Sequence, residues 1–493
     1  MTDHSLYWHD YETFGTDARR DRPVQFAGVR TDLQFNPIGE PLVVYLKPAD
    51  DCLPHPDACL ITGITPQLAE QKGVCEAEFI RLIHREISTP NTCALGYNTL
   101  RFDDEVTRNC LYRNFYDPYA REWQHGNSRW DLIDVVRAAR ALRPDGLAWP
   151  FNDDGTPTLR LDRLTVANGL VHEAAHDALS DVKATIALAQ LLSRAQPKLY
   201  PFLFRHRVKA EALKLLQIGS FEPVVHVSGK YPASRHCLAV VLPVAWHPSN
   251  GNGVIVYDVS IDPGPMLELS AAEIRRRIFT AAEDLPEGET RIPLKTVHLN
   301  KCPVLAPVSV IRGQDAERLA IDLAACRAHI AKIKAAAGLA EKIVQVFDAE
   351  NDFETETDPD LAIYQGGFFT DEDKRKMAKL RSMSPGQLAE TTLTFTDRRL
   401  SEMLFRYRAR NYPDSLNAEE TARWQQFCAD RLSGRIPGAG ITFDRYFARL
   451  EALRNDVSAD RSIVAALQSY ALQKMRRLGI ERSRADLPAA LPV

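Results

Sequence analysis

The sequence LYWHDYET occupies residues 6–13 and decides the fold of the N-terminal part of the chain. It opens with apolar residues, which predicts a β-strand that begins in a core. Asp10 and Glu12 are two positions apart, so their carboxylates point to the same face of this strand. Two anions that converge near a core are costly unless a cation neutralises them, and hard oxygen ligands suit Mg²⁺ or Mn²⁺. The alternative is a solvated edge strand, because so short a motif often occurs by chance.

A second acidic group lies in GYNTLRFDDEVTRN, residues 96–109. Asp103 follows Phe102 at the entrance to a helix that is predicted to begin at about Glu105. An aspartate at such a position is commonly a helix cap, and the adjacent Asp104 competes with Asp103 for any chemical role. The pattern alone leaves this choice open.

The third element is HEAAHDALSDVKATIALAQLL, residues 172–192. Asp181 lies on a predicted amphipathic helix, and His176 lies five positions earlier. In one regular helix these two side chains diverge by about 140°, so they converge only if His176 lies outside the helix. Asp177 is then predicted to cap the helix. His172 competes with His176, but an ordinary surface role is predicted for it.

Composition limits the class of protein. The chain has 493 residues, 45% hydrophobic and 26% charged, which predicts two or three domains with substantial cores. A formal net charge of −4 excludes a generally basic coat, so any polyanion must bind in a local basic groove. The nine scattered cysteines lack a CxxC pair and indicate reduced, cytosolic thiols. We find neither a signal sequence nor an apolar run of ~20 residues, which predicts a cytoplasmic protein without a membrane partner.

Three regions follow one another along the chain. Short apolar strands mixed with helical stretches predict an α/β domain over residues 1–196. β-Branched, turn-bounded segments followed by a helical run predict a small barrel or sheet within residues 197–347. The acidic stretch 348–360 has no core-forming periodicity and is interpreted as a solvated linker. Residues 361–493 are rich in helical patterns and end in a predicted frayed tail.

Taken in order, D-x-E, N-x3-F-D and H-x4-D resemble the motifs of the DEDDh class of exonucleases, which have a ribonuclease-H-like fold. Further segments are similar to those of bacterial exonuclease I, among them HDYETFGTDARRDRPVQFAGVRTD, PADDCLPHPDACLITGITPQ, RNFYDPYAREWQHGNSRWDLIDV and HLNKCPVLAP. The resemblance implies a ribonuclease-H-like exonuclease domain, an SH3-like middle domain containing a β-barrel, and an all-α C-terminal domain.

The resemblance also implies how the acidic residues act. Asp10, Glu12 and Asp181 would hold a Mg²⁺ ion that activates water, and Asp10 with Asp103 a second ion beside the leaving group, with Mn²⁺ as a substitute. His176 would be the general base, because histidine titrates nearest neutrality. A histidine that clamps a phosphate is the alternative. Thr13 and Arg160, together with Glu12, match positions that contact the terminal nucleotide, although both are equally compatible with structural polar roles.

Arginines alternate with aromatic residues between Arg108 and Trp130. Aromatic faces stack bases and arginines bind phosphates, but a folded core would take about half of these rings. By resemblance, Arg108, Tyr119 and Trp123 are the predicted DNA contacts.

A basic stripe of Arg137, Arg140 and Arg143 recurs at i, i+3 and i+6 of one predicted helix. Its ordinary interpretation is a solvated helix face. In the exonuclease I family a similar surface meets DNA and the acidic C-terminal tail of single-stranded-DNA-binding protein, which implies DNA contact at Arg137 and partner contact at Arg143. Lys301 and the segment Phe405–Pro413 offer further phosphate and base contacts.

The implied function is 3′→5′ hydrolysis of single-stranded DNA to 5′-mononucleotides by a processive monomer in DNA repair and recombination. Three alternatives remain: a 3′→5′ exoribonuclease, a non-catalytic single-strand-binding scaffold, and a proofreading subunit of a polymerase. Loss of a motif residue would favour the scaffold, and none is lost.

Overall fold

The computed structural model describes residues 4–172, 176–348 and 355–481. Part of the predicted linker, residues 349–354, and the last part of the predicted tail, residues 482–493, lie outside the described residues. Within the described ranges, no helix is both long enough and apolar enough to cross a membrane.

The N-terminal segment is α/β, as predicted. Its strands are β1 (Ser5–Thr13), β2 (Pro23–Thr31), β3 (Leu42–Tyr45), β4 (Thr92–Gly96) and β5 (Ser128–Asp131). Its helices are α1 (Pro56–Thr62), α2 (Pro66–Lys72), α3 (Glu76–Ile87), α4 (Asp103–Arg113), α5 (Leu132–Leu142), α6 (Leu161–Ala167) and α7 (Ala178–Ala195). The sheet has the order β3-β2-β1-β4-β5, in which β1 is antiparallel to β2 and parallel to β4.

Strand β1 lies at the centre of this sheet, and its side chains are buried along nearly its whole length. The Tyr11 ring packs edge-on against Phe26 of β2, with ring centroids 4.8 Å apart. Across the ladder Glu12 is paired with Gln25, and the register shifts immediately after Glu12. Regular pairing of β1 therefore becomes irregular at the strand end that carries its acidic residues.

The middle segment contains a second five-stranded sheet, which is antiparallel and has the order β10-β6-β7-β8-β9. Its strands are β6 (Val224–Val227), β7 (Leu238–Trp246), β8 (Gly253–Asp258), β9 (Leu294–His298) and β10 (Val304–Pro307). Its helices are α8 (Leu199–His206), α9 (Lys209–Leu215), α10 (Gly264–Glu268), α11 (Ala271–Phe279), α12 (Gly313–Arg318), α13 (Leu323–Ala335) and α14 (Leu339–Phe347). The β-branched pattern therefore predicted β6, β7 and β8 correctly.

The C-terminal segment is helical, as predicted, with helices α15 (Asp371–Arg381), α16 (Pro385–Ala389), α17 (Arg398–Asn411), α18 (Ala418–Leu432), α19 (Phe443–Arg454) and α20 (Arg461–Arg477). Helices α19 and α20 share one hydrophobic core with the N-terminal segment. In this core Tyr446 and Leu467 are clustered with Phe14, Val24 and Cys59. Burial of apolar surface thus joins residues about 400 positions apart in the sequence.

The chain divides into two compact units. One comprises Met1–Ser128, Glu173–Lys183 and Glu354–Val493, and the other comprises Arg129–His172 and Ala184–Phe353. The division passes through β5 and through α7. The first unit combines the motif-bearing strands with the C-terminal helices.

A buried ion-pair network lies within the first unit and is formed by Asp51, Asp358, Asp360, Arg22, Arg406, Arg410 and Arg431. Arg410 lies 2.8 Å from Asp51 and 2.5 Å from Asp360. Burial raises the pKa of Asp51, but Arg410, Arg22 and Arg431 outweigh burial and hold that pKa well below its ordinary value. The Asp51 carboxylate is therefore charged in the folded protein.

This network corrects two interpretations of the sequence. The acidic stretch was expected to be solvated, yet Asp358 and Asp360 are buried and paired with arginines. The segment Phe405–Pro413 was expected to offer contacts to DNA, yet Arg406 is in the network and Arg408 binds Glu420 at 2.7 Å. The sequence pattern did not show the partners of either segment, because the paired charges lie far apart along the chain.

We expect Asp360→Ala to lower the free energy of unfolding by about 3–5 kcal/mol, because it leaves buried arginines without a counter-charge. Asp57→Ala is the control, since Asp57 pairs with Arg449 at the surface and should contribute less than about 1 kcal/mol. Denaturant titrations of both variants make the comparison. Equal losses would show that the network is no stronger than a surface ion pair.

Candidate active site

Strand β1 presents the first two acidic residues. Glu12 is buried and Asp10 is partly buried. Burial, and then the charges of Asp181 and Asp103, raise the pKa of Glu12 to about 8. Burial, Asp103, Glu12 and Asp181 likewise raise the pKa of Asp10 well above its ordinary value. These shifts show that the four carboxylates are close enough to repel one another.

Helix α4 begins at Asp103 itself rather than at Glu105. The Asp103 carboxylate accepts a hydrogen bond of 3.2 Å from the backbone N–H of Tyr11, which places it beside the carboxylates of β1. Asp104 has a different partner, because Arg121 binds it at 2.6 Å in a buried ion pair. The choice that the sequence left open is therefore decided by Arg121, which neutralises Asp104 and leaves Asp103 with the site.

Helix α7 begins at Ala178, so His176 lies outside it, as predicted. Asp177 caps the helix: its carboxylate accepts a 3.0 Å hydrogen bond from the N–H of Ser180, and its carbonyl accepts one of 3.0 Å from Asp181. His176 has a φ of 67°, in the left-handed region, and is exposed. This turn brings His176 back toward the helix face that carries Asp181.

The side chains of Glu12, His176 and Asp181 converge. One ligand atom from each lies within 4.8 Å of the others, a spacing that fits a shared metal ion. The carboxylate oxygens of Glu12 and Asp181 suit a hard divalent cation such as Mg²⁺ or Mn²⁺. The raised pKa of Glu12 indicates the same fit, because a bound cation would relieve the repulsion that burial intensifies.

The residues predicted to contact the terminal nucleotide have local partners. The Thr13 hydroxyl donates to the carbonyl of Gly15 at 2.6 Å. Arg160 is exposed in the second unit and pairs with Asp162 at 3.0 Å.

The predicted DNA contacts of the first unit differ in exposure. Trp123 exposes 66% of its surface, whereas Arg108 is buried. The Arg108 guanidinium binds Glu105 at 2.6 Å and Glu122 at 2.8 Å, and it lies 5.3 Å from the centre of the Tyr119 ring. Arg108 thus already has two carboxylate partners.

The predicted contacts of the second unit also differ. Arg137 is buried and paired with Asp134, so it does not form a solvated stripe. Arg143 is half-buried and donates to the carbonyl of Val310 at 3.1 Å. Lys301 is exposed in the turn that follows β9.

Gln25 was not among the site residues predicted from the sequence. It is a buried residue of β2 whose amide reaches the start of α7. The available signal was a polar residue inside the apolar run PVQFAGV. Its importance depends on a partner about 150 positions away, which no local pattern shows.

Comparison with known proteins gives matches along nearly the whole chain. Three family models match successive parts: exonuclease over residues 7–189, exonuclease I SH3-like domain over 207–349, and exonuclease I C-terminal domain over 357–474. Exodeoxyribonuclease I of Escherichia coli (strain K12) is 47% identical over 470 residues, which cover 94% of this chain and 96% of that protein.

Solved structures of exonuclease I also match nearly the whole chain. Exonuclease I from Methylocaldum szegediense has a TM-score of 0.92 and 54% identity, covering 96% of this chain and 100% of that one. Exonuclease I of E. coli in complex with a dA16 oligonucleotide has a TM-score of 0.92 and 45% identity, with the same coverage.

The converging carboxylates and histidine lie in a domain that matches the exonuclease model, which defines the class of protein as an exonuclease. The two further models and the extent of the E. coli match then specify the family: the chain belongs to the exonuclease I family. The predicted fold class is confirmed, with a ribonuclease-H-like exonuclease domain, an SH3-like domain and a helical C-terminal domain.

We expect Mg²⁺ to raise the melting temperature by about 1–3 °C, and the rise to be smaller in Asp181→Asn, which removes a charged ligand. The raised pKa of Glu12 gives the pH dependence. Without metal, the contribution of Glu12 to the free energy of unfolding is fully present below the ordinary glutamate pKa and is lost as pH rises through about 8. The stabilisation by Mg²⁺ should therefore increase over that interval. Thermal melts with chelator and with Mg²⁺ measure this. Identical shifts in both proteins would contradict the ligand assignment.

Proposed function

We propose that this protein is a 3′→5′ exonuclease that hydrolyses single-stranded DNA to 5′-mononucleotides. The observation that carries the proposal is the convergence of Glu12, His176 and Asp181 beside Asp10 and Asp103. The relative that binds a dA16 oligonucleotide supports single-stranded DNA as the substrate class.

Each residue of the site has a proposed task. Asp10, Glu12 and Asp181 hold one divalent cation, and Asp10 with Asp103 holds a second, with Mg²⁺ as the expected ion and Mn²⁺ as a substitute. When bound, the cations supply positive charge that activates water and stabilises the departing 3′-oxygen. His176 accepts the proton that the attacking water loses, for which its exposed position outside α7 is suited.

Substrate contacts extend this proposal. Thr13 and Arg160, with Glu12, position the terminal nucleotide. Exposed Trp123 and half-buried Tyr119 offer rings on which bases stack. For Arg108, the proposed contact requires a DNA phosphate to compete with its two carboxylate partners.

Residues of the second unit are also proposed to contact single-stranded DNA. Lys301 is exposed and suited to a phosphate, whereas Arg137 would have to exchange Asp134 for a phosphate. Several such contacts would keep the enzyme bound through successive cleavages, which is the basis for proposing processive action.

Single-stranded-DNA-binding protein is the proposed partner, bound through its acidic C-terminal tail. A solved structure of a relative contains SSB and exonuclease I, with 45% identity and a TM-score of 0.86 over 96% of this chain. Arg143 is a proposed contact because it is only half-buried and can offer charge to a carboxylate. We further propose that the protein is a cytoplasmic monomer that acts in DNA repair and recombination.

The decisive experiment incubates the protein with 3′- or 5′-end-labelled single-stranded DNA and RNA, with and without Mg²⁺. Asp10→Ala and Asp181→Ala should abolish hydrolysis but retain single-strand binding, because the metal ligands and the stacking residues are separate sets of contacts. Asp371→Ala, an exposed carboxylate at the start of α15, is the control and should retain activity. Full activity of either site variant would disprove the ligand assignment, and RNA degraded as well as DNA would favour the exoribonuclease.

We expect His176→Ala to lower kcat by about 10²–10⁴-fold with little change in affinity, which is the usual contribution of a general base. His172→Ala is the matched control, because His172 contacts Thr165 at 3.3 Å and should leave kcat unchanged. A loss confined to KM would instead identify His176 as a phosphate-binding residue.

A further inference from the structure

The amide of Gln25 is buried beside the active site. Its strand β2 pairs with β1 so that Gln25 is directly opposite Glu12. Only 2% of the residue is exposed, and a buried amide is tolerated only where hydrogen bonds replace those that it makes with water. The hydrogen-bond partners of this amide therefore indicate its structural role.

Gln25 has three hydrogen-bond partners. Its Nε2 donates to the Asp177 carboxylate at 3.3 Å and to the Tyr45 hydroxyl oxygen at 2.9 Å. Its Oε1 accepts from the backbone N–H of Ala178 at 3.3 Å. The N–H can only donate and a charged carboxylate can only accept, so these two partners fix the orientation of the amide.

Two of these partners form the start of α7. Asp177 is the residue that caps the helix, and Ala178 is its first residue. His176 immediately precedes this cap, and Asp181 follows one turn later. The proposed base and a proposed metal ligand both extend from the start of α7. The Gln25 amide therefore connects the start of α7 to the position of β2 that is opposite Glu12.

We propose that Gln25 is a positioning residue for the reaction, which holds the start of α7 at the distance from β1 that lets His176 and Asp181 meet Glu12. This inference rests on the proposed function of the site. Gln25 acts through Asp177 and Ala178, which lie between His176 and Asp181 along the chain.

An exchange of partners tests this role. Gln25→Glu sets two carboxylates against each other. In Asp177→Asn the one remaining side-chain oxygen must still accept from the Ser180 N–H, so an amide NH2 group is turned toward the NH2 group of Gln25. The double variant restores a donor opposite an acceptor, keeps an acceptor for the Ala178 N–H, and leaves the net charge unchanged. Each single variant should lower kcat about 10–100-fold while KM for a short oligonucleotide changes less than about threefold, and the double variant should recover most of the loss.

Tyr45→Phe is the matched control, because it removes the third hydrogen bond of the same amide without touching α7. It should leave kcat within about twofold of the unsubstituted protein. Equal loss in Tyr45→Phe, or no recovery in the double variant, would overturn the proposal and make Gln25 an ordinary packing residue.

A second measurement separates this inference from the proposed function. The rise in melting temperature on adding Mg²⁺ requires no substrate, and it should be smaller in Gln25→Glu and Asp177→Asn and restored in the double variant. If the protein does not degrade DNA but this pattern holds, the proposed substrate is wrong and the positioning role stands. If DNA is degraded and neither kcat nor the Mg²⁺ response depends on Gln25, the positioning role alone is wrong.

Discussion

Repulsion among four carboxylates at the end of the central strand is the interaction on which the catalytic region depends; the residues are Asp10, Glu12, Asp103 and Asp181. Burial intensifies this repulsion and raises the pKa of Glu12 to about 8. The surrounding structure must therefore hold the carboxylates together against their own charge. It does so with a rigid strand, a backbone N–H that fixes Asp103, and a helix whose start is bound to β2. A divalent cation would neutralise these charges, and the repulsion that it relieves would favour its binding.

The same constraint explains why adjacent acidic residues have different roles. Asp103 and Asp104 follow one another, yet Asp104 is neutralised by Arg121 while Asp103 lies with the site. Asp177 and Asp181 lie on one turn, yet Asp177 caps the helix and binds Gln25 while Asp181 converges with Glu12. In each pair, one residue has a structural partner and the other lies with the site. Neutralising one carboxylate also limits the negative charge that the site must carry.

The C-terminal helices belong to the same unit as the catalytic strands, and ion pairs as well as apolar packing join them. Asp51, in the loop after β3, is bound by Arg410 of α17 and is close to Arg22, which precedes β2. Buried pairs of this kind are costly to form and more costly to break singly, so they favour one arrangement of the elements that meet there. This segment is thus part of the scaffold of the catalytic domain rather than a separately attached body.

The sequence by itself determined the class of site. The two-residue spacing of Asp10 and Glu12 and the requirement that His176 lie outside the helix follow from local geometry, and both hold in the structure. Only the tertiary structure decided between Asp103 and Asp104, removed Asp358 and Arg406 from the surface, and revealed Gln25. The physical reason is the same in each case. The state of a charged or polar side chain depends on the partner that packing brings to it, and these partners come from segments tens to hundreds of residues away, beyond any local periodicity.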